Sequence, residues 1–326
     1  MVGHRPRLDQ RRRRRGRGRR AAPAPARGAG AGPRTRAARR RRHGAGAAHG
    51  AGPVTGRHEV GGVVLVTAAA TETGRLAAGN ADACRVAPPV FVVADGTGAD
   101  ATGAAASAAV VAAFTAEVPA GAPATLDQVR RALERAHVEV GALARDTGGR
   151  TGSTVTGAVL TLHEGRPHWL VLNVGDSRVY RLLRGELHLL TVDHTQAPDE
   201  ARSERPGARR PGGRAALTRA VGAPDATADS WLLPVVDGER LLLCSAGLAR
   251  NLADETVQAV LALSGAPATA ASALVGHAAR AGTGEDVTVV VVDVLSGGRS
   301  PGLDDTSRGT GTRTDTVDDD TRVVRR

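Results

Sequence analysis

The chain has 326 residues, which allows one large domain or two of ordinary size, and its formal net charge of +11 is unevenly distributed. Met1–Arg57 contains 18 arginines and one acidic residue, whereas His58–Gly298 contains 20 arginines and 26 acidic residues. Arg299–Arg326 contains six of each. A basic arm is therefore joined to a mildly acidic body, and the total charge describes neither part.

The composition excludes several classes of protein. No apolar run reaches the roughly 18 residues that a transmembrane helix needs, and no apolar segment of a secretory signal follows the basic arm. We therefore expect a cytoplasmic protein without membrane contact. Cys84 and Cys244 are isolated, which excludes a disulfide framework and is typical of a reducing compartment. The histidines show no close-pair zinc pattern.

Both ends of the chain have compositions typical of disorder. Residues 1–57 are rich in Arg, Ala, Gly and Pro and contain almost no large apolar side chains. They cannot bury enough surface to offset the loss of conformational entropy on folding. The tail, residues 296–326, has the same deficiency. We expect one folded body over residues 58–295.

Apolar runs and helical periodicity predict the elements of this body in chain order. The first part predicts two strands and two helices: Glu59–Thr67, Val90–Ala94, Ala99–Val118 and Leu126–Arg145. Four closely spaced strands and a polar loop follow: Ser153–Leu162, His168–Val174, Ser177–Leu183, Leu187–Thr191 and the loop Gln196–Arg214. The last part predicts two strands, two helices and a final strand: Ser230–Val235, Arg240–Cys244, Asp254–Leu263, Ala268–Ala281 and Val287–Val294.

Strands in runs and helices in pairs indicate an α+β fold rather than alternating βαβ units. The short turns between strands indicate mainly antiparallel sheets. The strands lack clean alternation of polar and apolar residues, so both of their faces are expected to be covered. Two packed sheets with helices outside them would satisfy this pattern.

Acidic residues stand next to several predicted strands. Asp95 directly follows Val90–Ala94, Asp176 lies in a turn between two strands, and Glu285 and Asp286 precede the last strand. Carboxylates gathered at one sheet edge suit a hard divalent cation, and two such cations can hold a phosphate and activate a water. Taken singly, each residue is explained as part of a turn. Only the combined pattern indicates a metal site.

Six motifs in this order resemble the PPM family of metal-dependent serine/threonine phosphatases, also called PP2C. The strongest stretch is Leu172–Thr195, which holds a GDSR motif, two strands joined by a tight turn, and a D-H-T motif. The other five stretches are Val90–Gly98 (D-G-x-G), Thr151–Thr156 (TGSTVT), Leu217–Gly222 (LTRAVG), Leu241–Leu248 (LLLCSAGL) and Gly284–Thr288 (GEDVT). The resemblance covers about Glu59–Val294 and implies a four-layer α-β-β-α sandwich that hydrolyses phosphoserine and phosphothreonine.

The resemblance also implies a binuclear Mg or Mn centre at one end of the two sheets. It makes Asp95 the carboxylate that bridges both metals, Gly96 a carbonyl ligand, and Asp82 a ligand that acts through bound water. Asp176 corresponds to a residue that helps to hold a third, weaker metal in some members. Glu285 stands at the position of another direct ligand. Asp95 and Asp176 are the candidate catalytic residues.

The metal-binding positions depart from the family's pattern. Ala81 stands where a Glu ligand is expected, and Ala246 where an Asp ligand is expected. Glu285 replaces an Asp ligand and Asp286 an Asn, so either carboxylate could serve there. Two divalent cations carry about four positive charges and need several carboxylates to balance them. We therefore expect zero or one tight Mg or Mn site and reduced or absent activity.

The implied substrate-binding features are altered as well. The family's phosphate-binding arginine aligns with Ala77, and Arg75, two residues away, is the candidate to replace it. The polar loop Gln196–Arg214 corresponds to a flap beside the active site.

Three functions remain open. The first is an active phosphatase with a reduced metal site. The second is a pseudophosphatase that binds a phosphoprotein or another kinase-pathway partner. The third is a nucleic-acid-binding protein. The arginines of the arm could neutralise phosphates, but the arm lacks interleaved aromatic residues and any nucleic-acid-binding motif, which argues against the third function. Alternatively, the arm is a leader from a misassigned start codon, with translation beginning near Val54. We expect a monomer.

Overall fold

The computed structural model describes four parts of the chain: residues 54–98, 101–196, 216–301 and the backbone of 322–323. The chain divides into two units, Met1–Gly44 and Ala45–Arg326, and every described residue belongs to the second. Most of the predicted arm, tail and polar loop therefore lies outside the described residues.

The described residues form thirteen strands and five helices. The strands are β1 Val54–Val60, β2 Val63–Glu72, β3 Asp82–Ala87, β4 Val90–Thr97, β5 Gly152–Ser153, β6 Val155–His163, β7 Arg166–Val174, β8 Arg178–Leu183, β9 Glu186–Leu189, β10 Asp229–Pro234, β11 Arg240–Cys244, β12 Val287–Ser296 and β13 Arg322–Val323. The helices are α1 Ala101–Glu117, α2 Leu126–Asp146, α3 Ala246–Ala249, α4 Asp254–Leu263 and α5 Pro267–Ala281.

The strands form two sheets in which neighbouring strands are antiparallel. The first has the order β1-β2-β12-β11-β8-β9, and the second has the order β13-β10-β7-β6-β4-β3 with β5 paired to β4. The central strands β4, β6, β11 and β12 are buried along almost their whole length. Their β-branched and leucine side chains suit strands that are covered on both faces. This double burial explains the missing alternation in the sequence.

Three apolar clusters fill the spaces between four layers. The cluster between the two sheets contains Phe91 of β4, Trp169 of β7 and Val290 of β12. A second cluster joins the other face of β4, β6 and β7 to α1 and α2, and a third joins β8, β11 and β12 to α4 and α5. This confirms the predicted α-β-β-α sandwich. Within the described residues, no helix is long and apolar enough to span a bilayer.

The prediction of a single strand over Glu59–Thr67 is wrong. That segment contains the end of β1, a turn at Gly61 and Gly62, and the start of β2, and the two strands pair antiparallel. Both glycines have positive φ, 59° and 80°, which other residues adopt only at a cost. Gly-Gly between two apolar runs is itself a signal for a two-residue hairpin turn, which the single-strand prediction leaves out.

The ends of the body also differ from the prediction. β1 begins at Val54, inside the predicted arm 1–57, and β12 ends at Ser296, the first residue of the predicted tail. The short strand β13, from the tail, pairs with β10. The sequence does not predict β3, because this edge strand is only half-buried beyond Asp82 and lacks a long apolar run.

Candidate functional site

The predicted site residues lie where strands of both sheets end. Asp82 begins β3 and stands opposite Asp95 near the end of β4. Asp176 lies in the turn between β7 and β8, and Glu285 lies two residues before β12. Ala246 begins α3 directly after β11 and Ser245. The antiparallel arrangement therefore carries segments that are distant in sequence to one edge of the sandwich.

Asp82 is buried next to another carboxylate. Its side chain is 7% exposed, and neither carboxylate oxygen has a hydrogen-bond partner among the described residues. Burial and, to a smaller extent, the charge of Asp95 raise its pKa well above the usual value, while the hydroxyls of Thr288 and Ser245 oppose the shift. This side chain is thus stabilised either by a proton or by a cation at this edge.

Gly96 lies where helix α1 packs directly against β4. A Cβ atom at this position would be 2.0 Å from the carbonyl oxygen of Gly103 in α1. The N–H of Gly96 donates to the carbonyl of Ala81, 3.1 Å away. Glycine is needed here because the two backbones approach so closely, and this contact fixes the position of the neighbouring Asp95.

Thr154 connects Asp95 to the turn that carries Asp176. Its hydroxyl oxygen accepts a hydrogen bond from the N–H of Asp95 at 3.0 Å and shares a second one with the Ser177 hydroxyl at 2.8 Å. The N–H of Thr154 donates to the carbonyl of Asp95 at 2.9 Å. One buried threonine therefore connects the backbone of Asp95 to Ser177, the residue next to Asp176. The motif TGSTVT, which contains Thr154, has this structural role.

Arg250, which the sequence does not single out, contacts two predicted site residues. Its Nη1 atom lies 2.8 Å and 2.9 Å from the two carboxylate oxygens of Glu285, and its Nη2 donates to the carboxylate of Asp176. Arg250 follows helix α3, and its N–H donates to the carbonyl of Ala246. A sequence signal exists: a carboxylate position has become alanine, and an arginine stands four residues later on the same helical face.

Asp286 holds the loop between β2 and β3. One of its oxygens accepts from the N–H of Gly74 at 2.8 Å and the other from the N–H of Ala81 at 2.7 Å. Arg75 lies on this loop with an exposed side chain, and its N–H donates to the carbonyl of Thr283 at 3.3 Å. Asp286 is therefore occupied by backbone amides, which positions the loop of Arg75 beside the segment of Glu285.

The predicted flap begins and ends beside a buried histidine. Residues 197–215 lie outside the described part of the chain, but Thr195 and Leu217 form a β-bridge at its two ends. The Nδ1 atom of His194 accepts from the N–H of Gly175 at 3.2 Å, and Nε2 lies 3.2 Å from the carboxylate of Asp229. His194 thus connects the base of this segment to the GDSR turn.

These residues do not fit the two divalent cations that the resemblance implies. Ala81 and Ala246 offer methyl groups, and Asp286 is used by backbone amides. Asp176 and Glu285 share the guanidinium of Arg250. In the part of the chain that the structure describes, no group of three or more His, Cys, Asp and Glu side chains could hold a metal ion. Asp82 and Asp95 stand opposite each other on β3 and β4 at this edge.

Comparison with known proteins identifies the family. Residues 77–274 match the family model described as Protein phosphatase 2C. Serine/threonine protein phosphatase PstP of Mycobacterium tuberculosis is 33% identical over 242 residues, a match that covers 72% of this chain and 46% of PstP. The chain therefore spans about half the length of this curated relative.

Solved structures of phosphatases share the fold. The PPM Ser-Thr phosphatase MsPP from Mycobacterium smegmatis, in complex with cacodylate, is 31% identical with a TM-score of 0.59, and the match covers 71% of this chain and 98% of MsPP. The catalytic domain of PstP in complex with two manganese ions is 28% identical with a TM-score of 0.58, covering 72% of this chain and all of that domain. The two sheets, the order of the motifs and the family match lead to one conclusion: the chain belongs to the protein phosphatase 2C, or PPM, family of serine/threonine phosphatases.

Proposed function

We propose that this chain is a PPM-type phosphatase domain whose hydrolysis of phosphoserine and phosphothreonine is strongly reduced or lost. The observation that carries the proposal is the pairing of Asp176 and Glu285 with Arg250, at an edge where Ala81 and Ala246 replace expected carboxylates. A cation that binds phosphate and activates water needs several oxygen ligands. The remaining carboxylates supply too few of them for a two-cation centre.

Of the candidate metal ligands, Asp82, Asp95 and the carbonyl of Gly96 belong together. We assign to them at most one tight Mg or Mn site. Arg75 is the candidate for gripping a substrate phosphate, because its loop is held at this edge and its side chain is exposed. The ligand is a phosphoprotein of a kinase pathway.

Both cysteines are free thiols, which supports a cytoplasmic location.

Hydrolysis of a phosphothreonine peptide with Mn²⁺ tests the proposal, with the catalytic domain of PstP assayed alongside. Mutation of a residue that only hydrogen-bonds to a metal ligand typically lowers metal affinity or activity about 10–100-fold. This chain lacks two direct ligands, so we expect its hydrolysis rate to be lower than that of PstP by at least this factor. A chain carrying Ala81→Glu, Ala246→Asp and Arg250→Ala together should recover Mn²⁺-dependent turnover, since the three changes restore two carboxylates and remove the competing cation.

Asp95→Ala is the control for that assay. Hydrolysis that persists in Asp95→Ala does not depend on the candidate site and is therefore due to a contaminating phosphatase. Such a result agrees with the proposal. Turnover that equals that of PstP and disappears in Asp95→Ala would mean that the chain is an ordinary phosphatase.

The second candidate is a pseudophosphatase that binds a phosphoprotein without turnover. This candidate is favoured because the side chains of the site are held in place without a metal. Arg250 binds Asp176 and Glu285, and Asp286 holds the loop that carries Arg75. Fluorescence anisotropy with a labelled phosphothreonine peptide, in the presence of a chelator, measures such binding. We expect Arg75→Ala to weaken it and Arg75→Lys to weaken it less; equal affinity for the unphosphorylated peptide would exclude this candidate.

A further inference from the structure

Arg250 is the centre of a three-residue ion cluster formed with Asp176 and Glu285. Its side chain is 31% exposed, compared with 6% for Asp176 and 25% for Glu285. The Asp176 carboxylate is thus nearly removed from solvent, where a charge without a partner is costly. The two carboxylates belong to different parts of the chain and would repel each other without a positive charge between them.

A guanidinium meets this requirement without metal. Its planar fork presents several N–H donors at fixed angles, and it keeps its charge at every accessible pH. Here Nη1 contacts both oxygens of Glu285 and Nη2 contacts Asp176, so one cation serves both acids. A divalent cation would need the same carboxylate oxygens and would be repelled by the arginine. The two cations therefore exclude each other.

The surroundings hold this cluster in place. The side-chain amide of Asn251, next to Arg250, donates to the carbonyl of Gly247 at 2.8 Å and to the hydroxyl of Thr283 at 3.1 Å. That hydroxyl accepts from the N–H of Glu285 and donates to its carbonyl, both at 3.1 Å. The segments of Arg250 and Glu285 are thus connected through the side chains of Asn251 and Thr283 as well as through their charges.

We propose that the guanidinium of Arg250 takes the place of a divalent cation between Asp176 and Glu285, so that this half of the site is assembled without metal. The inference rests on the proposed function only in that it concerns the same site. It states which side chain excludes the metal, and it predicts that metal binding increases when the positive charge of Arg250 is removed.

Mn²⁺ binding to the full chain tests this, measured by isothermal titration calorimetry together with thermal unfolding in Mn²⁺ or in EDTA. We expect the melting temperature of the wild-type chain to change little between the two conditions. Arg250→Gln should lower the melting temperature in EDTA, regain it with Mn²⁺, and bind either one more Mn²⁺ per chain or the same number at least tenfold more tightly. Arg250→Lys keeps the charge but not the planar fork, so it should be less stable than the wild type yet bind Mn²⁺ no more tightly.

Arg219→Gln is the matched control. Arg219 also bridges two carboxylates, those of Asp225 and Asp229, and its side chain is 30% exposed. The change should lower stability without adding an Mn²⁺ site. If Arg250→Gln does not fold in EDTA, refolding with Mn²⁺ supports the proposal, and failure to refold with Mn²⁺ contradicts it.

Three results would overturn the inference: two tightly bound Mn²⁺ ions in the wild type, unchanged Mn²⁺ binding in folded Arg250→Gln, or an equal gain in Arg219→Gln. None of them depends on peptide hydrolysis. Rapid turnover by the wild type contradicts the proposed function, whereas these outcomes contradict the role of Arg250.

Discussion

At the residue scale, the charge of Arg250 is shared between the carboxylates of Asp176 and Glu285. The family resemblance implies Asp82, Asp95, Asp176 and Glu285 as site residues, and the structure places all four at one edge of the sandwich. The contacts of Arg250 depend on where helix α3 and the segment before β12 meet, which no local pattern specifies. The sequence therefore suggests a weak metal site, and the structure adds the side chain that competes with the metal.

The burial of Asp82 leads to a prediction about stability in the absence of metal. Asp82→Asn should raise the free energy of unfolding at pH 7–8 by about 1–3 kcal/mol, because asparagine cannot ionise and so avoids the cost of a buried charge. The folded-state pKa of Asp82 is raised, so the protonated form is favoured in the folded protein. Stability from this group is complete below its unfolded-state pKa, about 4, and is lost as the pH rises.

The gain from Asp82→Asn should therefore shrink as the pH falls towards 4, as measured by chemical denaturation in EDTA at several pH values. Asp146→Asn, at the exposed end of α2, is the control and should change stability little. A gain that is equally large at pH 4 and pH 8 would show that charge is not its cause.

The two cysteines should resist alkylation in the folded protein. Burial and, second, the charge of Asp82 raise the pKa of Cys84 to about 11, and burial raises that of Cys244 to about 12. The thiolate is the reactive form, so about one Cys84 thiol in 10³ is ionised at pH 8. Mass spectrometry after iodoacetamide treatment should find both thiols unmodified in native protein and both modified in denaturant. Rapid native labelling of Cys84 would indicate that the edge strand β3 opens readily.

At the element scale, long buried strands and amphipathic helices are predictable, and edge elements are not. The predicted bounds of β11 and α4 agree with the structure, because each has a strong pattern and a clear end. The hairpin of β1 and β2 and the strand β3 lie at sheet edges, where fewer side chains are buried and the pattern is weaker. Their pairing depends on neighbours that a local sequence does not specify.

Helix capping gives a paired prediction at this scale. Helix α2 begins with a capping box, in which the Thr125 hydroxyl accepts from the N–H of Gln128 and the Gln128 side chain accepts from the N–H of Thr125. Helix α4 begins after Ala253, whose side chain cannot cap it. Thr125→Ala should lower the free energy of unfolding by about 1 kcal/mol, and Ala253→Ser should raise it by about 0.5–1 kcal/mol.

Urea denaturation of the two single variants and the double variant measures both effects. The two helices lie on opposite sides of the sandwich, so the changes should be additive. A loss of stability in Ala253→Ser would indicate that the serine is not oriented to cap α4.

At the scale of the whole molecule, the charge and the fold occupy different parts of the chain. The first 53 residues contain 17 arginines and one aspartate, so their removal changes the formal net charge from +11 to −5. The sandwich begins with β1 at Val54. The positive total therefore says little about the ligand of the domain.

Deletion of residues 1–53 should leave the melting temperature within about 2 °C and abolish retention on heparin. Each phosphate or sulfate of a polyanion that an arginine neutralises contributes to a salt-dependent affinity. The full chain should therefore be retained on heparin and elute only when the salt concentration is raised, while the shortened chain should not be retained. Retention of the shortened chain would locate a polyanion site on the sandwich itself, and a fall in melting temperature would show that the deleted residues stabilise it.

The ion cluster of Arg250 also changes how the site responds to its surroundings. A dissociable cation occupies its ligands by mass action, so occupancy rises and falls with the free concentration of metal. A guanidinium attached to the same polypeptide is present at a fixed effective concentration, set by the short path from α3 to Asp176 and Glu285. The order of this half of the site should therefore be independent of manganese supply, so the domain presents the same surface to a partner in metal-rich and metal-starved cells.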